Sequence, residues 1–336
     1  MTTKSIGPWT AEILSCAALC TAFIASTPCA ASPADATVQS QIPGWVYPLN
    51  PPPRGALQPP DGISLLHVPG SPLSFTAAQL SDRFSAPGWF PLQHSPMPPI
   101  VAQGRKPTIF ACGYCHTPAG QGRPENASLA GLPAGYLIQQ LADFKSGARR
   151  GGWSGPYGPT DGMIQLAAYV TPDEAATAAA YFSRQRPISR VRVIQSEVVP
   201  RSRIVGWVYA PEPGGGEEPL GERMMEFAPE PERHERRDDR MQYVAYVPKG
   251  SVKRGRAIAL QAGTTACSSC HGKQLEGAGL IPRLAGRSPT YLLRQLLAFQ
   301  TRARASLAGQ PMQSVADGLR LPDMIDVVAY AASLPP

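Results

Sequence analysis

Two short motifs in the sequence combine cysteine and histidine at a spacing that carries chemistry. The two copies of C-x-x-C-H are Cys112, Cys115, His116 and Cys267, Cys270, His271. Two thiols at this spacing can reach the two vinyl groups on one edge of a porphyrin and form thioethers, and the adjoining histidine supplies the proximal nitrogen to the iron. The motifs therefore predict two covalently attached haem c groups, with the cysteines binding the porphyrins and the histidines binding the iron.

Other chemistry of cysteine pairs leaves part of this pattern unexplained. Four cysteines in two C-x-x-C pairs can hold a zinc ion, but each pair is followed by its own histidine, and the two pairs would have to converge on one ion. A redox-active disulfide within each pair is open to an exported protein, but it gives neither histidine a role. Haem attachment is the hypothesis that uses all six residues.

The two motifs lie in two copies of an internal repeat. The matched residues include Leu129-Ala130-Gly131 with Leu284-Ala285-Gly286, Tyr136 with Tyr291, Gln140-Leu141 with Gln295-Leu296, and Phe144 with Phe299. A fainter echo precedes each copy, as Gly44-Trp45-Val46-Tyr47 and Gly206-Trp207-Val208-Tyr209. Each copy is therefore expected to form one module with its own haem.

A haem iron that does not bind a substrate needs a sixth ligand, and a thioether opposite histidine raises the reduction potential. Met163 and Met312 fall at equivalent places in the two repeats, each in a stretch of Gly and Pro that predicts a loop before the final helix. A single methionine is more often core packing, but two at matched places favour iron ligation. Met324, the rival in the second copy, has no counterpart in the first and is interpreted as packing.

Composition and charge exclude several classes of protein. The chain has 336 residues, of which 43% are hydrophobic and 16% charged, so it is neither a small single domain nor a highly charged disordered protein. No apolar run has membrane-spanning length, which excludes a polytopic membrane protein. The net charge of +7 permits an acidic partner or peripheral association with an anionic membrane, and does not by itself indicate nucleic acid.

The N-terminus has the three-part pattern of a secretory leader. Lys4 supplies a weakly positive start, the apolar stretch 13–25 is too short to span a bilayer, and small residues follow it. A signal peptide over residues 1–31 predicts that the mature protein is periplasmic. Three of the seven cysteines would leave with this peptide, and the other four are all committed to haem.

Most of the 38 prolines lie outside two helical parts of the chain, whereas most of the 32 glycines lie within them. Residues 37–100 are dense in proline and predict an extended segment that wraps a neighbour, and residues 188–250 predict a charged, solvated linker. Helical patterns over 101–187 and 251–336 predict the two haem domains. In the first of these, Thr171-Pro172-Asp173-Glu174 is a capping box with proline in the first turn, which marks the start of a helix.

Each module resembles a class I cytochrome c, and the tandem is similar to the dihaem cytochromes c of the c-four type. The resemblance rests on C-x-x-C-H, Leu-Ala-Gly, Tyr-Leu-x-x-Gln-Leu-x-x-Phe and the matched methionine, over residues 105–185 and 255–334. It implies an all-α fold of two tandem modules with long, irregular lead-in and linker segments rich in Pro and Gly. Tyr181 and Tyr330 are then expected on C-terminal helices.

The resemblance also implies that a backbone carbonyl just before Leu-Ala-Gly orients each proximal histidine. The second copy has Ile281-Pro282 at this place, as is usual in the family. The first copy has Asn126-Ala127-Ser128 instead, which is a departure from the family pattern. The same loop geometry in both copies is therefore an expectation for the structure to test.

Electron transfer is the function that the resemblance implies. Two six-coordinate His/Met haems would pass single electrons between redox partners, a dehydrogenase as donor and a terminal oxidase or another cytochrome as acceptor, without catalysis by the chain itself. An alternative is a cytochrome subunit that accepts electrons within a periplasmic dehydrogenase complex and uses its proline-rich segments as arms. A haem enzyme such as a dihaem peroxidase or thiosulfate dehydrogenase needs an open or unusual sixth position, and the two methionines argue against it.

A basic cluster lies just before the second motif. Its members are Lys249, Lys253, Arg254 and Arg256. Such a cluster either steers an acidic partner or keeps the surface soluble, and the two roles look alike in a sequence.

Overall fold

Two helical modules with a β-sheet domain between them make up most of the chain. The computed structural model describes residues 42–49, 63–263 and 266–336. The predicted signal peptide, residues 1–31, lies outside the described residues. Among the helices that the structure describes, none combines the length and apolar character needed to cross a bilayer.

The segment before the first module folds back on other parts of the chain. It contains a 3-10 turn (Gly44–Val46), strands β1 (Leu65–Leu66) and β2 (Phe75–Thr76), helix α1 (Ala77–Ser81) and a second 3-10 turn (Pro91–Gln93). Trp89 is fully buried in a small apolar cluster of this segment, and its Nε1 donates to the Arg236 carbonyl oxygen of the sheet domain at 2.8 Å. Val46 and Tyr47 are buried in the core of the second module. The segment therefore wraps two neighbours, and it also has a small core that its proline content did not predict.

The first module is a set of helices around the first C-x-x-C-H motif. They are α2 (Pro99–Ala102), α3 (Cys112–His116), α4 (Ala134–Ser146), α5 (Gly158–Tyr169) and α6 (Pro172–Ser183). Helix α6 begins at the predicted capping box, because the Thr171 hydroxyl accepts from Glu174 N at 3.2 Å and the Glu174 carboxylate accepts from Thr171 N at 2.9 Å. Helices α4 and α6 pack together and bury Leu137, Tyr181 and Phe182.

Residues 188–250 fold into a β-sheet domain. Its elements are β3 (Val191–Gln195), β4 (Val198–Pro200), β5 (Ser202–Val205), β6 (Val208–Pro211), β7 (Glu217–Pro219), β8 (Met225–Phe227), α7 (Pro231–Glu235) and β9 (Tyr243–Val247). Five strands form one sheet in the order β3-β9-β8-β6-β5, and β4 pairs separately with β7. Strands β3 and β9 are parallel, and β9 and β8 are antiparallel.

The expectation of an all-α protein with a solvated linker is therefore wrong for this part of the chain. The sheet buries apolar side chains in two clusters, one around Phe227 and one around Tyr243. Some of the charged residues that suggested a linker lie within the strands, as Arg192 does in β3 and Arg203 in β5, beside the apolar residues that the assembled sheet buries. The domain is held by the burial of these apolar residues, which is the main stabilising term for any sheet.

The second module repeats the helical arrangement with a longer first helix. Its elements are α8 (Ser251–Ala259), α9 (Cys267–His271), α10 (Pro289–Gln300), a 3-10 turn (Leu307–Gly309), α11 (Gln310–Asp317) and α12 (Leu321–Ser333). Helices α8 and α12 cross at Gly255, where a Cβ atom would come within 1.8 Å of the Asp326 carbonyl oxygen. Only glycine fits this crossing. Beside it, Arg254 Nε donates to the Asp326 carboxylate at 2.6 Å and joins the same two helices.

A buried carboxylate connects the sheet to the second module. Glu226 of β8 is 3% exposed, and its Oε2 accepts from the Ser288 hydroxyl at 2.6 Å and from Thr290 N at 3.1 Å. Both groups lie at the N-terminus of α10, where unpaired N–H groups and the helix dipole favour a negative charge. Burial nevertheless raises the pKa of Glu226 above its usual range, against the opposing effect of these hydrogen bonds and of Arg294.

The pH dependence of stability follows from this raised pKa. A carboxyl that binds its proton more tightly in the folded state stabilises fully below its unfolded pKa of about 4.3, and this contribution is lost as the pH rises through the folded pKa. Glu226→Gln keeps an acceptor oxygen and removes the charge. We expect the free energy of unfolding of this variant, relative to the wild type, to increase between pH 5 and pH 8, by about 1.4 kcal/mol for each unit by which the folded pKa lies above 5.

Urea unfolding followed by circular dichroism at the two pH values measures this difference. Glu222→Gln is the matched control, because Glu222 is exposed in the same domain and should give the same small difference at both pH values. If the difference in the free energy of unfolding between Glu226→Gln and the wild type does not change with pH, the pKa of Glu226 is not raised in the folded protein.

Candidate functional site

The first C-x-x-C-H motif forms a single helical turn at the wall of a large cavity. In α3, Cys112 and Cys115 are half-buried and His116 is 7% exposed. All three line one cavity of about 870 Å³. Ligand cavities in proteins are usually about 300–1,000 Å³, so this one is large enough for a bulky cofactor.

A backbone hydrogen bond orients His116. Its Nδ1 lies 2.8 Å from the Ala127 carbonyl oxygen, and because a carbonyl can only accept, Nδ1 carries the proton and Nε2 is left to bind a metal. Burial lowers the pKa of His116 to about 4, with the charges of Arg149 and Arg123 adding to the effect of burial and the hydrogen bond opposing it. The imidazole is therefore neutral, which is the form that ligates iron.

The second module has the same arrangement. His271 Nδ1 lies 2.8 Å from the Pro282 carbonyl oxygen, and burial lowers the pKa of this histidine as well. Ala127 and Pro282 are matched residues of the repeat, and both lie just before Leu-Ala-Gly. The carbonyl that the resemblance implies is thus present in both copies, although the first copy has no proline there.

The four cysteines of the two motifs stay in separate modules. No group of three or more possible metal ligands of the His, Cys, Asp and Glu types comes together within the described residues, so the two pairs do not converge as the zinc alternative requires. None of the four is in a disulfide. Burial raises the pKa of Cys112 to about 12 and that of Cys267 to about 11, so both thiols are protonated at neutral pH.

The chemistry of the first cavity fits a haem. Its walls are largely apolar, with side chains such as Ile109, Leu132 and Phe182, and the two thiols lie on one turn beside a histidine with a free nitrogen. Arginines lie among the lining residues, where a carboxylate-bearing cofactor would find charge partners. A planar apolar group with acidic substituents and a central metal matches this set of donors.

Met163 lines the same cavity as His116. The matched Met312 is half-buried in the second module and packs against the same apolar core as Cys267. Met324 is fully buried in that core, as expected for a packing residue.

The secondary structure at the two matched methionines differs from the expected loops. Met163 lies in α5 and Met312 in α11. Pro159 and Pro311 stand in the first turn of these helices, where the N–H that proline lacks would have no partner inside the helix. The Gly/Pro-rich sequence therefore begins a helix in each module, and the loop assignment is wrong.

Three other parts of the chain complete the wall of the first cavity. Tyr47 comes from the lead-in segment, Trp207 and His234 from the sheet domain, and Tyr291 and Arg294 from α10 of the second module. Apart from the repeat match of Tyr291, no catalytic or ligand pattern in the sequence marks these residues.

Two of these residues, Tyr47 and Trp207, lie in the faint sequence echo that precedes each module, and this echo was the signal that could have found them. The segments Gly44–Val46 and Val208–Pro211 lie side by side, because the Tyr209 hydroxyl donates to the Trp45 carbonyl oxygen at 3.1 Å. The ring of Tyr157 contacts Tyr47 and Trp207 edge to face, with centroids 5.2 and 5.5 Å apart. The two echoes thus meet over the first cavity.

The two modules meet through paired residues of the repeat. Arg149 is 7% exposed and donates to Gln140 Oε1 at 2.8 Å and to Gln295 Oε1 at 3.0 Å. Arg304 is 8% exposed and donates to the same two oxygens, at 2.6 Å to Gln140 and at 3.3 Å to Gln295. Each arginine therefore binds a glutamine of its own module and the matched glutamine of the other.

The backbone follows the same two-fold pattern. Arg150 N donates to the Ala303 carbonyl oxygen at 2.6 Å, and Ala305 N donates to the Ala148 carbonyl oxygen at 2.7 Å. The guanidinium of Arg149 also lies over the ring of Phe144 at 4.5 Å, and that of Arg304 lies over the matched Phe299 at 4.1 Å. The internal repeat is thus also a symmetry of the interface.

Tyr291 lies among the arginines of this interface. Arg149 Nη2 donates to its hydroxyl at 3.0 Å, and the guanidinium of Arg287 lies 4.9 Å from its ring. Burial raises its pKa, but the charges of Arg149, Arg287 and Arg304 outweigh burial and lower the pKa to about 8. The interface therefore has a strongly positive interior.

Comparison with known proteins connects both modules to one family. The second module, residues 252–335, matches the cytochrome c family. Cytochrome c-554(547) of Halothiobacillus neapolitanus is 38% identical over 76 residues, which are 20% of this chain and 84% of that protein. Cytochrome c4 of Azotobacter vinelandii is 25% identical over 247 residues, which are 72% of this chain and 92% of that protein.

A third relative is longer than the part that it shares with this chain. Cytochrome c-552 of Acidithiobacillus ferridurans is 36% identical over 92 residues, which are 26% of this chain. The chain spans 39% of the length of that protein. The likeness therefore covers one module in some relatives and most of the chain in another.

The module interface makes a prediction for stability. Arg304→Gln is expected to lower the free energy of unfolding by about 2 kcal/mol, because the Gln140 and Gln295 oxygens each lose one of their two charged arginine donors, and a hydrogen bond to a charged group contributes about 1.5–3 kcal/mol. Urea unfolding followed by circular dichroism measures the change.

Arg302→Gln serves as the control two residues away. Arg302 is half exposed and donates to the Asp317 carboxylate at 2.7 Å, and such surface pairs contribute about 0–1 kcal/mol. If the two variants lose the same free energy of unfolding, the buried arginine–glutamine network of the interface contributes no more to stability than a surface ion pair does.

Proposed function

The chain belongs to the cytochrome c family, and we propose that it is a periplasmic dihaem cytochrome that passes single electrons between redox partner proteins. Each module holds one haem c, and haem iron supplies one-electron oxidation and reduction when it is bound. The residues of the chain attach the porphyrins, ligate the iron, exclude water and set the distance between the two sites.

The proposed ligands come in two matched sets. They are Cys112, Cys115, His116 and Met163 in the first module, and Cys267, Cys270, His271 and Met312 in the second. The thiols would form the thioethers, the neutral histidines would bind the iron through Nε2, and the methionine sulfurs would supply its sixth ligand. This assignment is supported by the shared cavity of His116 and Met163 and by the matching hydrogen bond of each histidine.

The observation that carries the proposal is the position of α10. Tyr291, Arg294 and Gln295 of this helix line the cavity of the first module. Leu293 and Leu296 of the same helix are buried in the core of the second module, against which Cys267 and Met312 also pack. One helix therefore lines the first cavity and packs in the core beside the second attachment turn, and we propose that haems held on its two sides exchange an electron directly.

The same arrangement supports a carrier and not an enzyme. With histidine on one side and methionine on the other, neither iron keeps an open position for a substrate. We propose a dehydrogenase as the electron donor and a terminal oxidase or another cytochrome as the acceptor. The periplasmic location rests on the leader pattern at residues 1–31.

Intact mass spectrometry of the exported protein tests the core of the proposal. We expect a mass equal to the chain without its leader plus two covalently bound haem groups. The visible spectrum after denaturation should show two haems for each chain. A gain of one haem or none would contradict the proposal, whatever the partner proteins are.

Substitution of the methionines tests the iron ligands. Met163→Leu and Met312→Leu should each lower the reduction potential of one haem and leave both haems attached, because axial ligands set haem potentials over a range of about 0.8 V. Redox titration followed by absorbance gives the two potentials of each variant.

Met324→Leu is the matched control for this experiment. It makes the same nearly volume-conserving change to a buried methionine that has no counterpart in the first repeat. Both potentials should stay at their wild-type values in this variant. If it lowers one potential as much as Met312→Leu does, the assignment of Met312 is wrong.

A further inference from the structure

A small cavity lies where the sheet domain meets both modules. Its lining includes Arg123 and Pro124 from the loop after α3, Arg190 and Glu226 from the sheet domain, and Arg287 just before α10. The cavity has a volume of about 20 Å³. Because about 10–15 Å³ is needed to hold one water molecule, there is room for a single water molecule or an ion of similar size, and a polyatomic anion such as sulfate does not fit.

Four residues of this lining each have a buried polar atom that finds no hydrogen-bond partner within the described part of the chain. These atoms are Arg123 Nε, Arg190 Nη2, Arg287 Nε and Glu226 Oε1. Arg190 is 8% exposed, Arg287 4% and Glu226 3%, so bulk water hardly reaches them. Buried polar groups in native proteins are nearly always paired, and each exception calls for an explanation such as a bound water molecule or ion.

The hydrogen bonds of two of these arginines leave their charges uncompensated. Arg190 Nε donates to the Met241 carbonyl oxygen at 3.0 Å, and Arg287 Nη2 donates to the Ser128 carbonyl oxygen at 2.9 Å. Both acceptors are neutral. Burial lowers the pKa of Arg190, although the charges of nearby acidic groups oppose this effect. The wall of the cavity therefore carries positive charge that favours an anion.

A water molecule satisfies this set of donors less well than an anion does. Its oxygen has two lone pairs, so it accepts from two of the three N–H groups of Arg123, Arg190 and Arg287, and it brings no charge. A chloride ion accepts from all three and neutralises one guanidinium charge. Hydrogen bonds between ionised groups are also the stronger ones. Of the two occupants that the volume allows, the ion is the better match.

Glu226 is an unfavourable neighbour for an anion when its carboxyl is ionised. Its Oε2 accepts from the Ser288 hydroxyl and from Thr290 N, which leaves Oε1 as the place for a proton. Burial raises the pKa of Glu226 and so favours the protonated form. With a proton on Oε1, the carboxyl becomes a fourth donor to the same ion.

We propose that this cavity binds one chloride ion between the guanidinium groups of Arg123, Arg190 and Arg287. The three arginines belong to the first module, the sheet domain and the second module, so the ion joins all three parts of the chain. Because the site is complete only when these parts are docked, binding of the ion stabilises the docked arrangement. The proposal does not rest on the haems, since none of the proposed haem ligands lines this cavity.

Urea unfolding in sodium chloride and in sodium gluconate at equal ionic strength tests the site, because gluconate is too large for the cavity. At about 0.2 M salt, chloride should lower the unfolding equilibrium constant of the wild type about ten-fold relative to gluconate, as when the ion is present at about nine times its dissociation constant. Arg190→Gln removes one donor and one charge from the site. Its chloride effect should fall to about two-fold or less.

Arg192→Gln is the matched control. It makes the same change of charge at an exposed position of the neighbouring strand β3 and should keep the wild-type chloride effect. An equal chloride effect in all three proteins would overturn the proposal, because chloride would then act on the surface as a whole. No chloride effect in the wild type would overturn it too.

Diffraction locates the ion without any variant. Wild-type crystals grown in sodium bromide should show an anomalous peak in the cavity between Arg190 and Arg287, because bromide takes the place of chloride. The proposal is wrong if this position shows no peak. A peak without any chloride effect on unfolding would mean an adventitious ion only, and the proposal would fall in that case as well.

Discussion

The relative position of the two modules depends on two buried guanidinium groups. A buried charge is costly unless its donors find acceptors, and each of Arg149 and Arg304 has one glutamine acceptor in its own module and gains the second only when the two modules come together. The cost of burying the two arginines is therefore fully compensated only when the modules are docked. Because α10 carries Gln295, the same contact sets the helix that forms a wall of the first cavity, and the distance between the sites follows from it.

The sheet domain is fixed to both modules by the same kind of interaction. Glu226 accepts two hydrogen bonds at the start of α10, and the His234 carbonyl oxygen accepts one from Arg123 beside the first attachment turn. A domain held at both ends in this way cannot move away from the cavity without leaving polar groups unpaired. The insertion is thus part of the wall of the first site and not a spacer between two independent modules.

The chemistry of each module could be predicted because it is local. C-x-x-C-H places two thiols and a histidine on one helical turn whatever surrounds them, and the capping box at Thr171 forms from residues three apart. The sheet could not be predicted, because its strands are three to five residues long and its order β3-β9-β8-β6-β5 joins segments distant in the chain. The positions of Met163 and Met312 could be matched but not their structure, since proline is found both in loops and in first turns of helices.

The internal repeat is kept where the modules meet and lost where they face outward. At the interface, matched arginines, glutamines and phenylalanines contact each other in pairs, so a change in one copy affects its counterpart directly. At the attachment turns the copies differ, because Cys115 lines the first cavity together with Arg123 and Arg237 while Cys270 lies at the surface. Haem potentials depend on burial and nearby charge as well as on the ligands, so the two proposed ligand sets, although matched in the repeat, would not make equivalent sites. The repeated residues form the attachment turn of each module, and the segments outside the repeat determine how deeply that turn is buried.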